Sequence, residues 1–149
     1  MSQASPVQSA MPRMTQVILW AYTAFNILIA GTLIGNPAQI DATYRGGAMT
    51  ATREFQWFSI GGFHLFMVGV TLAALRMPTA RERGWLILMN AAFYSWDALT
   101  EWLYWGARLG VAPLDLHRNA GVSAACGLLL LVAWRHDLAM ARRTAPAVP

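Results

Sequence analysis

The chain has 149 residues, of which 56% are hydrophobic and only 12% charged, about half the roughly 25% charge of an average soluble domain. That composition excludes a disordered chain and argues against a small water-soluble domain, whose large surface must be covered by polar groups. The net charge is +4, and every basic residue is an arginine; these flank apolar runs instead of forming a patch, so nucleic acid is not an expected partner.

Residues 1–15, with Pro6 and Pro12, read as a mobile tail. The first apolar run, 17–34, carries no charge. It lies well inside the chain, is long for a signal-peptide core and lacks a clear A-x-A site, so it reads as a retained span. The second run covers 55–75. Pro78 closes it, and Thr79 with Glu82 has the capping-box spacing that starts a helix. The third run, 84–105, contains Asp97 and Glu101 and is ended by Gly106 and Gly110. Pro113 and Asp115, the expected N-cap, precede the fourth run, 119–134, which a preceding turn extends back to about 117. Residues 138–149 read as a second tail.

About 20 residues at roughly 1.5 Å each cross a hydrocarbon core of about 30 Å. Four such runs predict an all-α, integral membrane four-helix bundle with short loops, making up residues 16–137 and with the lipid bilayer as its surroundings. Tryptophans near the run ends (Trp57, Trp85, Trp102, Trp105, Trp134) suit the membrane interface. Seven arginines fall on the side of the two tails and the 76–83 loop, against four on the other side. That excess places both termini in the cytoplasm, the expected setting being a bacterial inner membrane. Small residues at helical spacing, Gly121 with Ala125 and Ser123 with Gly127, and Gly61, Gly62, Gly69 and Ala73 in the second run, allow close helix packing. The same faces would serve a homo-oligomer. Cys126, the single cysteine, reads as a small packing residue.

The third run carries a polar line: Asn90, Tyr94, Asp97, Glu101 and Tyr104 are spaced four, three, four and three apart, and so share one helical stripe. Ionisable groups within a membrane are costly and normally face a bundle interior or a wet cavity. With antiparallel neighbours aligned on their centres, Asp97 and His64 lie roughly 3 Å from the midplane, Asn26 within about 1 Å of it, and Glu101 roughly 9 Å toward the other side. Tyr22 is one turn from Asn26. Arg118 and Asn119, at the head of the fourth helix, reach the level of Glu101 and Tyr104. The expected pocket therefore has Asp97, Glu101 and His64 as catalytic groups. Asn26, Tyr22, Tyr94, Asn90, Tyr104, Arg118 and Asn119 are its substrate-binding residues. The purely structural alternative is an interhelical network pairing His64 with Asp97 and Arg118 with Glu101.

Two carboxylates about 6 Å apart compete for ionisation, and a neutral acid beside a charged base suits general acid–base catalysis. Apolar walls of Phe25, Phe63, Phe66, Phe93 and Trp96 suit a lipophilic substrate. The reaction class expected is isomerisation, epoxide hydrolysis or cyclisation of a terpenoid- or steroid-like molecule. With its acidic residues inside a small helical bundle, the architecture resembles that of the EXPERA-type membrane isomerases; no motif is shared, so no residue roles carry over. The alternatives are a proton-coupled small-molecule transporter, or a binding or assembly subunit of a larger membrane complex. No internal repeat or broken helix pair supports the transporter. No cofactor is expected. His117 and His136 fall near opposite surfaces, so His64 has no partner for a bis-His haem, and the Glu-x-x-His pattern of di-iron bundles is absent. A metal ion would have to rely on His64, Asp97 and Glu101, and none is expected. There is no G-x-S-x-G or phosphate loop.

Overall fold

The computed structural model describes residues 9–44, 48–105 and 113–144, and every element among them is a helix. Helix α1 (Arg13–Gly35) begins four residues ahead of the apolar run, and the Asn36 N–H closes it by donating to Thr32 O at 3.0 Å. A short helix, α2 (Pro37–Tyr44), occupies a connection where only a loop was expected. Pro37 supplies the fixed φ and the missing N–H that suit a first helical position.

In α3 (Ala51–Arg76), Thr50 Oγ1 accepts the Arg53 N–H at 3.3 Å, and the chain leaves the helix before Pro78. The capping box expected at Thr79 starts α4 (Ala80–Thr100). Thr79 Oγ1 accepts the Glu82 N–H at 3.2 Å and donates to Glu82 Oε2 at 2.8 Å. From Glu101 to Trp105 the helix loosens into a π-helical turn. The last helix, α5 (Pro113–Thr144), starts two residues before Asp115, which therefore lies in its first turn and not at the N-cap. Pro113 takes the first position, for the same reason as Pro37. The helix continues through 138–144, within the stretch read as a tail. Gly106 and Gly110, expected to end the third helix, lie outside the described residues.

Four long helices pack as a ring. The broadest interfaces join α1 to α3 and α4 to α5, and sparser ones join α3 to α4 and α1 to α5. Gly61 brings α3 hard against α1, where an added Cβ would lie 2.6 Å from Ile34 Cγ1. On α5, Gly127 sits over α4, and its Cβ would meet Ser95 Oγ at 3.2 Å and Ala91 O at 3.5 Å. Gly62, Gly69 and Gly121, read as packing residues, have nothing of the described structure within 4 Å, because one residue of rotation turns a helical side chain by about 100°.

One half of the bundle is close-packed around Leu19, Tyr22, Ala74, Ile87, Ala91 and Leu130. A buried ion pair closes that end, where Arg83 Nε and Nη2 donate to the Asp137 carboxylate at 2.9 and 2.7 Å. Arg83 Nη1 also donates to Ser9 O at 2.8 Å and Met77 O at 3.2 Å, tying down the segment before α1. At the opposite end Asp41 of α2 is buried against α3. It pairs with the Arg53 guanidinium and accepts the Trp57 indole N–H at 2.9 Å.

The burial pattern is inverted relative to a soluble protein. Asn26, Asn90, Thr15, Thr71, Arg83 and Asp137 are fully buried, whereas Trp20, Leu28, Phe55, Phe63, Trp85 and Leu128 are more than half exposed. Three helices, α1, α3 and α5 over His117–Arg143, are long and apolar enough to cross a membrane. Such surroundings fit the exposed apolar side chains.

Candidate functional site

The half of the bundle away from the Arg83–Asp137 pair encloses a cleft of about 490 Å³, within the usual range for a ligand site of roughly 300–1,000 Å³. One wall is apolar and comes from the first three helices: Phe25, Ile29 and Leu33 of α1, Ile40 of α2, and Trp57 and Ile60 of α3. The other wall is polar. It carries Tyr94, Asp97 and Thr100 of α4, Glu101 of the π turn, and Arg118, Asn119 and Ser123 of α5. His64 lies on α3 at the deep side, toward the packed half.

Asp97 and Glu101 are one turn apart and meet through a residue of another helix. Ser123 Oγ donates to Asp97 Oδ2 at 2.8 Å and stands 3.4 Å from Glu101 Oε2. A serine hydroxyl has one hydrogen. It can therefore donate to only one of the two carboxyl groups at a time, and the shorter contact is the one to Asp97. The second oxygens, Asp97 Oδ1 and Glu101 Oε1, receive no hydrogen bond from the described residues. The sequence pattern marks Ser123 only as a packing residue. Its position one turn after Asn119 was the signal, since both lie on the face of α5 that lines the cleft.

Behind the cleft wall a second network joins three helices. Asn26 Nδ2 donates to Tyr22 O at 2.8 Å, which orients the amide. Asn26 Oδ1 therefore accepts from Tyr94 Oη at 3.0 Å and from His64 Nδ1 at 2.8 Å. In the neutral ring that leaves Nε2 of His64 as an acceptor. Tyr22 Oη donates to Asn90 Oδ1 at 3.1 Å, and Asn90 Nδ2 donates to Leu86 O at 3.1 Å. The rings of Tyr22 and Tyr94 meet edge to face with centroids 5.3 Å apart.

The residues singled out from the sequence thus divide into two groups. His64, Tyr94, Asp97, Glu101, Arg118 and Asn119 line the cleft; Tyr22, Asn26 and Asn90 are buried behind it and hold His64 and Tyr94 in place. The Tyr104 side chain lies outside the described residues, and the π turn changes the 3.6-residue period on which its alignment with Glu101 depended. Of the aromatic walls, Phe25 and Trp96 line the cleft. Phe63 and Phe66 point outward, 56% and 58% exposed, and Phe93 stacks on Phe63. His64 bonds to Asn26 of α1 and not to Asp97, because the close approach at Gly61 turns this part of α3 toward α1. Among the described residues no three His, Cys, Asp or Glu side chains gather to share a metal ion. Cys126 is half-buried and packs against the core.

Comparison with protein-family models, with curated proteins and with solved structures finds no match for this chain.

Proposed function

We propose that the protein is a four-span membrane enzyme that performs acid–base chemistry on a small lipophilic molecule bound in this cleft. The observation that carries the reading is the Asp97–Ser123–Glu101 chain, set opposite an apolar wall. An ionised Asp97 would take a proton from the substrate and a protonated Glu101 would deliver one. The Ser123 hydroxyl would pass a proton between them, returning the pair to its starting state. Tyr94, held by Asn26, and the mouth residues Arg118 and Asn119 would orient a substrate oxygen. Isomerisation and cyclisation of terpenoid- or steroid-like molecules need this equipment, and epoxide hydrolysis needs one water besides. The close packing around Leu19, Ile87 and Leu130 supports an enzyme over a transporter, since it leaves the cleft blind toward the Arg83 end.

The fourth span is α4. Its composition is polar because one face carries Asn90, Tyr94 and Asp97, but its outward stripe is apolar: Trp85, Met89, Trp96, Leu99 and, past the helix end, Leu103 are all exposed. Its 21 residues reach about 31 Å, enough for the hydrocarbon core. Arg83 is neutralised by Asp137 and Arg53 by Asp41. Setting both aside preserves the arginine excess that favours cytoplasmic termini in a bacterial inner membrane.

The test is turnover by the protein reconstituted in vesicles, offered a cyclic terpenoid epoxide and a β,γ-unsaturated steroid ketone. Asp97→Asn should abolish product formation while helix content and unfolding midpoint are retained. Undiminished turnover by the variant rejects Asp97 as the base, and no turnover of either compound by wild type rejects the substrate class.

A further inference from the structure

The cleft has an opening on its side. Near the Arg83 end, α1 and α5 touch, with Thr15 Oγ1 3.4 Å from both Ala133 O and His136 Nδ1. Toward the α2 end the same two helices instead line the cleft, with Phe25, Ile29 and Thr32 on α1 and Arg118 and Val122 on α5. Thr32, Arg118 and Val122 are exposed as well as cleft-lining, Val122 at 44%, as is Trp96 of α4 at 66%. A side chain that faces both a cavity and the outside marks its rim. The seam between α3 and α4 is closed by aromatic packing at the level of His64, and the exposed, cleft-lining Trp96 follows one turn further along α4. Phe63 and Phe93 stack with centroids 5.8 Å apart and an interplanar angle of 6°, and Phe93 meets His64 and Tyr94 edge-on. Val122 immediately precedes Ser123, so the rim lies at the depth of the carboxylate pair.

We propose that the cleft binds a membrane-dissolved amphiphile with an uncharged apolar body and one oxygen-bearing polar group, and that it enters from the lipid between α1 and α5, past Thr32 and Val122. The proposal deepens the acid–base reading of the same site and rests on it and on the bilayer placement. Phe25, Ile29 and Leu33 offer the apolar body a surface no more polar than a lipid chain. The polar group, costly to leave in hydrocarbon, gains hydrogen-bonding partners in Asp97, Ser123 and Glu101. Sideways access also leaves intact the end of the bundle held by Asp41, Arg53 and Trp57.

Trp57 reports on this directly, because it lines the cleft yet is only 4% exposed. In a protein retaining Trp57 alone, with the other six of the seven tryptophans replaced by phenylalanine, a brominated monoacylglycerol in the vesicle membrane should quench its fluorescence. Aqueous iodide should not. Adding Thr32→Phe and Val122→Phe should remove that quenching, while a companion protein retaining only Trp96, 66% exposed, stays quenched with or without them. Quenching of Trp57 by iodide, no quenching by the brominated lipid, or quenching unaffected by the two phenylalanines overturns the proposal. If circular dichroism shows that the single-tryptophan proteins do not fold, a spin label at Ile60→Cys in a Cys126→Ala background replaces them. Access of oxygen but not of a water-soluble nickel complex, lost with the two phenylalanines, is then the supporting result, and access of the nickel complex the contrary one. The two readings fail separately. Iodide quenching with turnover still dependent on Asp97 rejects only the route, and lipid quenching with full Asp97→Asn turnover rejects only the chemistry.

Discussion

Removing Asp137 probes the strongest polar contact of the close-packed half. Arg83 and Asp137 are each 1% exposed and share two short charge-assisted hydrogen bonds. Asp137→Ala leaves the guanidinium buried with, among the described residues, the Ser9 and Met77 carbonyls and the Ser9 hydroxyl as its acceptors. Breaking a buried ion pair from one side costs about 3–5 kcal/mol, and these remaining acceptors favour the lower figure, about 3 kcal/mol. That is roughly a hundredfold in the ratio of folded to unfolded protein. The double replacement Arg83→Met with Asp137→Leu removes both charges and fills the space, so it should fall within about 1 kcal/mol of wild type. Equilibrium unfolding in mixed micelles, followed by circular dichroism, measures all three proteins. The reasoning is refuted if the double variant is as unstable as Asp137→Ala, or if the single variant lies within about 0.5 kcal/mol of wild type.

Two further substitutions test the packing. Asn26→Ala strips the acceptor from His64 and Tyr94 and should cost about 1–3 kcal/mol in the same assay, from two interhelical hydrogen bonds at about 0.6–1.7 kcal/mol each; no loss of stability would mean that these groups find other partners. Gly127→Leu drives a side chain into Ser95 and Ala91 of α4 and should destabilise by about 1–3 kcal/mol. Gly121→Leu, on an open face, should change stability by less than about 0.5 kcal/mol. Equal effects at the two glycines would contradict the observed rotation of α5.

What was legible in the sequence follows from the physics of a lipid solvent. The line Asn90–Tyr94–Asp97 could be placed on one face because helical periodicity acts within a single segment. Polar groups also reveal their orientation in a membrane, since only the interior accommodates them. Apolar groups do not, because protein interior and lipid are alike to them; hence the sequence alone does not show that Phe63 and Phe66 face outward and not into the pocket. Ser123 escaped as a functional residue because the link it makes depends on the relative rotation of α4 and α5, which no single-helix pattern encodes. The short helix α2 escaped because its anchor, Asp41, becomes meaningful only once Arg53 and Trp57 of α3 fold back against it.

The central claim is that α4 crosses the bilayer with Asp97 and Glu101 inside, although among the described residues α1, α3 and α5 alone qualify as spans by composition. Side-specific reporters fused at residue 1 and, separately, at residue 149 test it most directly, because four crossings put the two ends on one side and three put them on opposite sides. Both reporters should respond as cytoplasmic. Reporters on opposite faces of the membrane would contradict the claim, removing α4 and its two carboxylates from the bilayer.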